Sequence, residues 1–337
     1  MRVFVTGATG WIGSAVVKDL TAAGHEVTGL ARTQEGARTL KKLGGSARIG
    51  TLGDRALLRE AAAQSDGVIH TAFIHRLSHM DWATRFRLFA GALNGGIVPS
   101  FMRILSETEA RAIEALGSGL EGSGRPLVVT SGVLFLPPGK ISTETDNHVP
   151  NAPNRSFSEN AALSFVPRGV RASIIRLPPT VHGAGDHGFI AHLIKAARKK
   201  GASVYIGDGA NRWPAVHRLD AARLFRLALE EGEAGAKYHG VAETGIPFRD
   251  IAARIAARLG IPTASSATAK SAKHLGILAN FVGADNPSSS DWTRQRLGWT
   301  PHEVGLLADI DAQYFGSAAL RPPDPVLTKQ EPSRGAV

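Results

Sequence analysis

The chain contains no cysteine, and this absence removes several classes of enzyme at once. Without a thiol there is no disulfide, no thiolate zinc site and no cysteine nucleophile, and no metal site is predicted. Long hydrophobic runs are also missing, because the most apolar stretch, residues 86–105, is interrupted by two arginines, an asparagine and a proline. The chain is therefore not expected to cross a membrane.

A targeting segment is missing as well. No charged segment followed by an apolar core precedes the first predicted strand, so no secretion signal is expected and we predict a cytoplasmic location. The formal net charge of +10 raises the question of nucleic-acid binding. Its basic residues are dispersed along the chain rather than clustered, so no nucleic-acid partner is predicted. A polyphosphate cofactor would suit the same charge.

Short β-branched strands alternate with amphipathic helices over the first 71 residues. This alternation is typical of a parallel sheet with helices on both faces. Two further apolar runs, residues 126–131 and 172–177, continue the sheet as buried strands. The predicted early strands cover residues 3–6, 26–31, 47–49 and 67–71, and the helices between them cover residues 11–23, 34–43 and 55–64.

Beyond residue 177 the periodicity loosens, although residues 218–232 and 248–260 still predict amphipathic helices. The fold class predicted is α/β, a Rossmann-type doubly wound parallel sheet with a smaller C-terminal substrate-binding region. We expect a nucleotide-binding domain over residues 1–180, with residues 212–240 returning to it, and the smaller region over residues 181–320. Residues 321–337 carry proline and charge without periodicity and predict a flexible tail.

Three glycines spaced by three residues, Gly7, Gly10 and Gly13, directly follow the first predicted strand. In a dinucleotide-binding unit the first glycine allows a sharp turn and the second lets the backbone approach the diphosphate. The third lets the helix pack against the strand. A strand before the motif, a helix after it and a second strand within about thirty residues complete the context. The motif predicts nucleotide binding, with a purely structural turn as the alternative.

The end of the second strand selects between cofactors. An acidic residue there would bind the ribose hydroxyls of NAD, whereas this chain has Ala31 followed by Arg32. A guanidinium can bind a 2′-phosphate with its planar fork of donors. NADP(H) is therefore predicted in preference to NAD(H). The alternative is that Arg32 is a solvent-exposed arginine without a ligand.

Six short motifs occur in an order that resembles a known family. They are TGATGWIG from residue 6, DGVIHTA from 66, VVTSG from 128, RLPPTVHG from 176, VHRLDAARL from 216 and LGWTP from 297. Together they resemble the extended and atypical short-chain dehydrogenases/reductases of the NAD-dependent epimerase/dehydratase superfamily, over nearly the whole chain. The resemblance implies a Rossmann fold and nicotinamide cofactor chemistry.

The resemblance also implies a set of cofactor contacts. Besides the three glycines and Arg32, the implied contacts lie in the glycine loop, at the ends of the third to fifth strands and in the segment after the sixth strand. Arg155 is added as a contact to the ribose. These contacts are Thr9, Trp11, Ile12, Thr51, Leu52, Thr71, Ala72, Phe73, Thr130, Arg155, Pro178 and Val181.

The chain departs from the family at its catalytic residues. Family reductases use a tyrosine and a lysine in YxxxK together with a serine. Two alignments place either Asn151 or Phe157 at the tyrosine, and Gly132 stands at the serine. The sequence therefore resembles a subgroup that lacks the YxxxK tyrosine. Ser131 and Arg155 remain as catalytic candidates, although an arginine is a poor proton relay because it is effectively never deprotonated.

A carbonyl reductase needs a proton donor, and histidine suits neutral pH. His182 follows the proline pair where a substrate would lie, and His75 follows the ribose-side turn. Arg212 and Trp213 lie where the family presents an arginine to the substrate, and Gly132 is a further substrate contact. The alternatives are satisfied structural histidines and a surface arginine beside a packed tryptophan. Residues 79–102 suggest a lid, a pocket wall or a homodimer contact.

Three functions remain open from the sequence. The first is an NADPH-dependent oxidoreductase acting on a small or medium-sized apolar carbonyl substrate, with an unorthodox acid in place of tyrosine. The second is a catalytically silent NADP-binding redox sensor or regulatory protein, which the loss of tyrosine and serine favours. The third, a sugar-nucleotide epimerase or dehydratase, is disfavoured because it normally needs the missing tyrosine and prefers NAD.

Overall fold

The computed structural model describes residues 1–72, 97–134, 136–149, 156–267, 275, 278–279 and 281–315. The N-terminal elements alternate as the sequence predicts, and every predicted boundary up to residue 71 lies within one residue of the observed one. They are β1 Arg2–Thr6, α1 Trp11–Ala22, β2 Glu26–Ala31, α2 Gln34–Lys42, β3 Ser46–Ile49, α3 Arg55–Ala63 and β4 Gly67–His70.

The later elements are more varied in length. A 24-residue helix and two long strands are followed by short strands and helices. They are α4 Ile97–Leu120, β5 Pro126–Gly132, α5 Ser156–Leu163, β6 Arg171–Leu177, β7 Thr180–His182, α6 Phe189–Lys200, β8 Ser203–Ile206, β9 Arg212–His217, α7 Arg218–Glu231, β10 Lys237–His239, β11 Glu243–Pro247, α8 Phe248–Leu259, β12 Thr263–Ser266, α9 Asp291–Leu297 and α10 Leu306–Gln313.

The main sheet has seven strands in the order β10-β6-β5-β4-β1-β2-β3, and every neighbouring pair is parallel. The predicted Rossmann-type fold is confirmed. The chain leaves β1 towards β2 on one side and later returns to place β4 on the other. The switch point therefore lies between β1 and β4, and the carboxyl ends of these strands form the crevice where open α/β sheets bind ligands.

Alternating side chains of each strand reach opposite faces of this sheet. Val3 and Val5 of β1 join the apolar cluster that packs under α1 and α7, whereas Phe4 joins the cluster under α3, α4 and α5. Both clusters are completely buried at their centres, which explains the near-continuous apolar runs of the strands. Gly24 ends the α1 segment in the left-handed conformation, with φ of +84°.

Two small sheets that the sequence did not predict follow β6. One has the order β11-β9-β7 and the other pairs β12 with β8. Their strands are three to six residues long, too short to show a period, and β9 carries Pro214 in its middle, which argues against a strand in any sequence-based prediction. A third apolar cluster joins these strands to α6, α8 and α10.

No helix in the described part of the chain combines the length and apolar character needed to cross a bilayer. The predicted segment 79–102 lies outside the described residues up to residue 96, and its last residues begin α4. The predicted tail, residues 321–337, also lies outside them.

A buried ionic network joins β6 to α5. The guanidinium of Arg176 is fully buried, and its Nε and Nη2 each donate to a carboxylate oxygen of Glu159 at 2.8 Å. His148 Nε2 lies 2.9 Å from the same carboxylate. Burial alone would raise the pKa of Glu159, but the hydrogen bonds from Arg176 and His148 outweigh it and hold that pKa well below its usual range. The network anchors α5 beside the sheet.

His239 stands next to this network, opposite Arg176 in the register of β10 and β6. Its Nδ1 donates to the backbone carbonyl of Ser289 at 2.8 Å, which fixes the proton on that nitrogen. Burial first and the positive charge of Arg176 second lower the pKa of His239 to about 4, while Glu159 and Asp146 oppose the shift. A proton on Nε2 would therefore be an uncompensated buried charge.

Acid should destabilise the fold through His239. Between about pH 6.5, its unfolded pKa, and about pH 4, its folded pKa, the unfolded chain binds more protons, so the free energy of unfolding falls as pH falls. From pH 6.5 to 4.5 this loss should be about 2 kcal/mol. Urea denaturation at several pH values measures it. His239→Asn keeps a donor for Ser289 and should lose correspondingly less; equal pH slopes for the two proteins would contradict the assignment.

Candidate nucleotide-binding site

The glycine loop is held against the ends of β1 and β4 by backbone contacts. Gly7 has φ of +72°, and a Cβ there would lie 2.6 Å from the amide nitrogen of Ala72. A Cβ on Gly13 would lie 2.1 Å from the carbonyl oxygen of Gly7. Gly10 is less restricted, because its Cβ would meet only that carbonyl, at 3.0 Å. Two of the three glycines are thus required by packing, and at the third a Cβ would make one tight contact.

Among the residues that the structure describes, no side chain caps the first turn of α1. Gly10 is the N-cap residue, no described side chain accepts from the turn, and the turn contains no acidic residue. The first intrahelical bond runs from the amide of Ser14 to the carbonyl of Gly10 at 2.9 Å. The amides of Trp11, Ile12 and Gly13 therefore present free donors at the positive end of the helix dipole. This arrangement fits the diphosphate of a dinucleotide.

A second helix begins beside the loop. Thr33 caps α2 by accepting from the amide of Gly36 at 3.2 Å, and a Cβ on Gly36 would lie 3.4 Å from the Cγ2 of Thr9. Arg32, between β2 and this cap, is exposed and forms no ion pair within the described residues. The guanidinium and the start of α2 thus provide positive charge next to the glycine loop, where a phosphorylated ribose would need it.

The loop after β3 is organised by a carboxylate. The Oδ2 of Asp54 accepts from the amide of Thr51 at 2.6 Å and from its hydroxyl at 3.0 Å. Thr51 is exposed, and Leu52 packs partly against the apolar cluster under α3. Asp54 shapes this predicted cofactor contact and was not among the predicted residues.

At the ends of β4 and β5, two threonines tie neighbouring strands together. The hydroxyl of Thr71 donates to the carbonyl of Thr6, and that of Thr130 donates to the carbonyl of His70, both at 2.9 Å. Ser131 is 2% exposed, and its Oγ has no hydrogen-bond partner among the described residues. The hydroxyl of Ser131 is therefore a buried polar group that lacks a hydrogen bond within the described residues.

His182 is enclosed rather than open. Its side chain is 1% exposed, and its Nδ1 lies 2.8 Å from the Oδ2 of Asp309 in α10, which is equally buried. The ring of His217 contacts it edge to face at 5.4 Å. Of the two residues predicted beside it to contact the cofactor, Pro178 is buried and Val181 is half-buried. Asp309 could not be found from the sequence, because 127 residues separate it from its partner.

Arg212 and Trp213 point to different environments. The guanidinium of Arg212 pairs with both carboxylate oxygens of Asp285, at 3.1 and 3.0 Å, and its side chain is 39% exposed. Trp213 is completely buried, with its ring against Phe189 and Phe248. A substrate anion would have to compete with Asp285, and an apolar group could reach Trp213 only if that side chain moved. The substrate roles of both residues stay predictions.

The remaining predicted residues divide into two groups. Gly132 ends β5 and is half-exposed. Phe73, His75, Asn151 and Arg155 lie outside the described residues.

The three tyrosines of the chain lie elsewhere in the fold. Tyr205 is in β8, Tyr238 is buried in β10, and the hydroxyl of Tyr314 donates to Asp186 at 2.5 Å.

This seven-stranded parallel sheet, with an uncapped glycine turn at its switch point, defines a Rossmann-type nucleotide-binding protein. The chain belongs to the NAD dependent epimerase/dehydratase family, which matches residues 3–86 and 141–241. The short-chain dehydrogenase/reductase resemblance is thereby confirmed.

The chain is similar to proteins from fungi and bacteria along most of its length. An uncharacterized protein of Schizosaccharomyces pombe is 48% identical, over 94% of this chain and 100% of its own. A 4-hydroxy-2-methyl-3-oxo-4-farnesyl-3,4-dihydroquinoline-1-oxide ketoreductase of Stigmatella aurantiaca is 26% identical, over 95% and 99%. Among solved structures, a dTDP-glucose 4,6-dehydratase of Streptomyces venezuelae with NAD bound has a TM-score of 0.70 at 22% identity, over 93% and 95%.

The packing of the glycine loop predicts that one methyl group added at Gly13 destabilises the fold. Gly13→Ala would place a Cβ 2.1 Å from the carbonyl oxygen of Gly7, and the backbone cannot yield without opening the turn. We expect the free energy of unfolding to fall by about 3 kcal/mol. Urea denaturation tests this, with Gly283→Ala as control because its Cβ would meet only Ile206, at 3.8 Å. Equal stability of both variants would contradict the description of the loop.

Proposed function

We propose that the protein is an NADPH-dependent oxidoreductase that transfers hydride to a small or medium-sized apolar carbonyl compound. The uncapped first turn of α1, set on a glycine loop at the switch point of the sheet, is the observation that carries the proposal. Family membership and similarity to a ketoreductase support it. We propose that the substrate lies between the nucleotide-binding domain, residues 1–180 with 212–240, and the region of residues 181–320.

The preference for NADP(H) rests on the end of β2. No acidic residue stands there to bind ribose hydroxyls, and the exposed guanidinium of Arg32 is free of any carboxylate in the described structure. The capped start of α2 lies beside it. A 2′-phosphate would gain two charge-assisted hydrogen bonds from Arg32, whereas NAD(H) would gain none. A cytoplasmic location and a homodimer remain predictions.

Removing this guanidinium should change cofactor preference. For Arg32→Ala we expect the Kd for NADPH to rise at least about tenfold, since even one charge-assisted hydrogen bond contributes roughly 1.5–3 kcal/mol, while the Kd for NADH stays unchanged. Isothermal titration calorimetry measures both constants. Lys42→Ala removes the same charge at the other end of α2 and serves as the control. Parallel losses of NADPH and NADH affinity would instead assign Arg32 to general binding.

For catalysis, the chain must hold the carbonyl at the nicotinamide and supply one proton. When bound, the reduced nicotinamide supplies the hydride. We propose that His182 delivers the proton to the nascent alkoxide and that Asp309 orients it. The carboxylate of Asp309 accepts from Nδ1–H, so Nε2 is the nitrogen left to exchange a proton. The ring of His217 contacts that of His182.

His182→Gln should lower kcat at least about 100-fold on any carbonyl that the wild-type protein reduces, because positioned acids contribute 10²- to 10⁴-fold. Its Kd for NADPH should not change. Oxidation of NADPH on a panel of ketones and aldehydes provides the assay. His192→Gln, the same change at an exposed histidine of α6, is the matched control. Unaffected turnover in His182→Gln would remove His182 from the reaction and leave Ser131 as the next candidate.

A second function has one observation in its favour. His182 and Asp309 are each 1% exposed, and the tyrosine of the family is absent, so neither the proposed acid nor the family's acid is accessible to a substrate. A protein that only binds NADP(H) and senses the redox state needs a nucleotide site and no catalytic acid. Tight NADPH binding without turnover on the whole carbonyl panel would select this function over the first.

A further inference from the structure

Trp11, the first residue of α1, forms a platform beside the glycine loop. Its indole packs against the ring of His187, with centroids 5.6 Å apart, and a Cβ on Gly185 would lie 3.7 Å from it. The indole Nε1 is buried and has no acceptor in the described part of the chain. The first residue of α1 thus carries a buried N–H donor that is unsatisfied within the described residues.

Arg218 lies on this platform without a counter-ion. Its guanidinium carbon is 4.1 Å from the centroid of the Trp11 ring. Among the residues that the structure describes, Arg218 donates no hydrogen bond and forms no ion pair, although its side chain is half-buried. The negative charge of Asp186 acts on Arg218, but its carboxylate accepts hydrogen bonds from the hydroxyl of Tyr314 and the amide of Gly188. A guanidinium with five donors and no acceptor is costly inside a protein.

The helix dipoles make this position still less favourable for a cation. Arg218 is the first residue of α7, capped by His217, and it stacks on the first residue of α1. A positive charge at a helix N-terminus is repelled by the dipole, and two such termini meet here. The acid in the first turn of α7, Asp220, is occupied by the backbone amides of His302 and Glu303 and by Arg223. The fold therefore concentrates positive potential at a place where no carboxylate of the described residues pairs with the guanidinium.

We propose that Arg218, carried on the indole of Trp11, binds the diphosphate of the dinucleotide together with the free amides of α1. This inference rests on the proposed function and adds to it a cofactor-binding residue that the glycine motif does not contain. The ligand is a diphosphate because its two charges match the unpaired guanidinium on the Trp11 ring and the amides at the start of the helix that Trp11 begins.

A structural role for Arg218 makes a different prediction. If the guanidinium only stabilised the fold by stacking on Trp11, its removal would lower stability and leave nucleotide affinity unchanged. If it bound a ligand, removal would weaken nucleotide binding and leave the stability of the ligand-free protein equal or higher, because an unpaired cation at two helix starts is relieved.

The experiment titrates NADPH and ADP separately into the full chain and its variants by calorimetry. For Arg218→Leu we expect the Kd of both nucleotides to rise about tenfold, with an unfolding midpoint in urea no lower than that of the wild type. Arg218→Lys should give an intermediate loss, because it keeps the charge without the planar fork. Arg59→Leu, at an exposed arginine of α3, matches the change in net charge and should bind as the wild type does.

The outcomes separate this inference from the function it rests on. If the wild type binds neither nucleotide, the proposed function fails. If the wild type binds both and Arg218→Leu and Arg218→Lys bind them equally well, only the assignment of Arg218 is overturned. If nucleotide affinity is unchanged but the KM for a carbonyl substrate rises, Arg218 serves the substrate and the assignment is likewise overturned.

Discussion

The close backbone contact between Gly7, Gly13 and Ala72 is the constraint on which the architecture depends. The turn that leaves β1 passes over the end of β4 with no room for a Cβ at Gly7 or Gly13. This closeness sets the start of α1 over the switch point of the sheet, where its free amides define the nucleotide site. Packing of the loop and the proposed binding of a diphosphate both require a residue without a Cβ, and glycine meets both requirements.

Buried ion pairs perform a second task, because they fix the segments around the site. Arg176 and Glu159 join β6 to α5, and His182 and Asp309 join β7 to α10. Each pair is nearly inaccessible to water, so each partner is costly to bury without the other. Such pairs hold loops in one arrangement more firmly than apolar contacts of similar size, because the hydrogen bonds require particular directions. The same rigidity around His182 is what an oriented proton donor needs.

The arrangement of positive charge distinguishes stabilising arginines from those available to a ligand. Arg2, Arg168 and Arg226 lie against carboxylates of neighbouring elements. Arg32 and Arg218 have no such partner among the described residues, and both lie where a helix begins near the glycine loop. The net charge of +10 does not show where an anion would bind. The positions at which an arginine lies at the positive end of a helix dipole, with no carboxylate paired to it, are more informative. We propose that an anionic ligand restores the balance at those positions.

The sequence by itself determined six of the seven strands of the main sheet, the glycine loop and the family, whereas the three-residue strand β10 was not predicted. Local signals are enough for these features: apolar runs mark buried strands, Gly24 ends a helix, and the spacing of Gly7, Gly10 and Gly13 reflects contacts within one turn. The substrate roles of Arg212 and Trp213 could not be judged in this way, because burial and the pairing with Asp285 depend on residues more than thirty positions away.

The tertiary structure alone decided which polar groups meet. Asp309 reaches His182 across 127 residues, and Arg218 reaches Trp11 from another helix. The small sheets also emerge only in three dimensions, since strands as short as β7 have no detectable period and Pro214 masks β9. The physical reason is common to all three cases. Ion pairs, cation–aromatic contacts and short strand pairs depend on distance in space, and nothing in the neighbouring sequence encodes that distance.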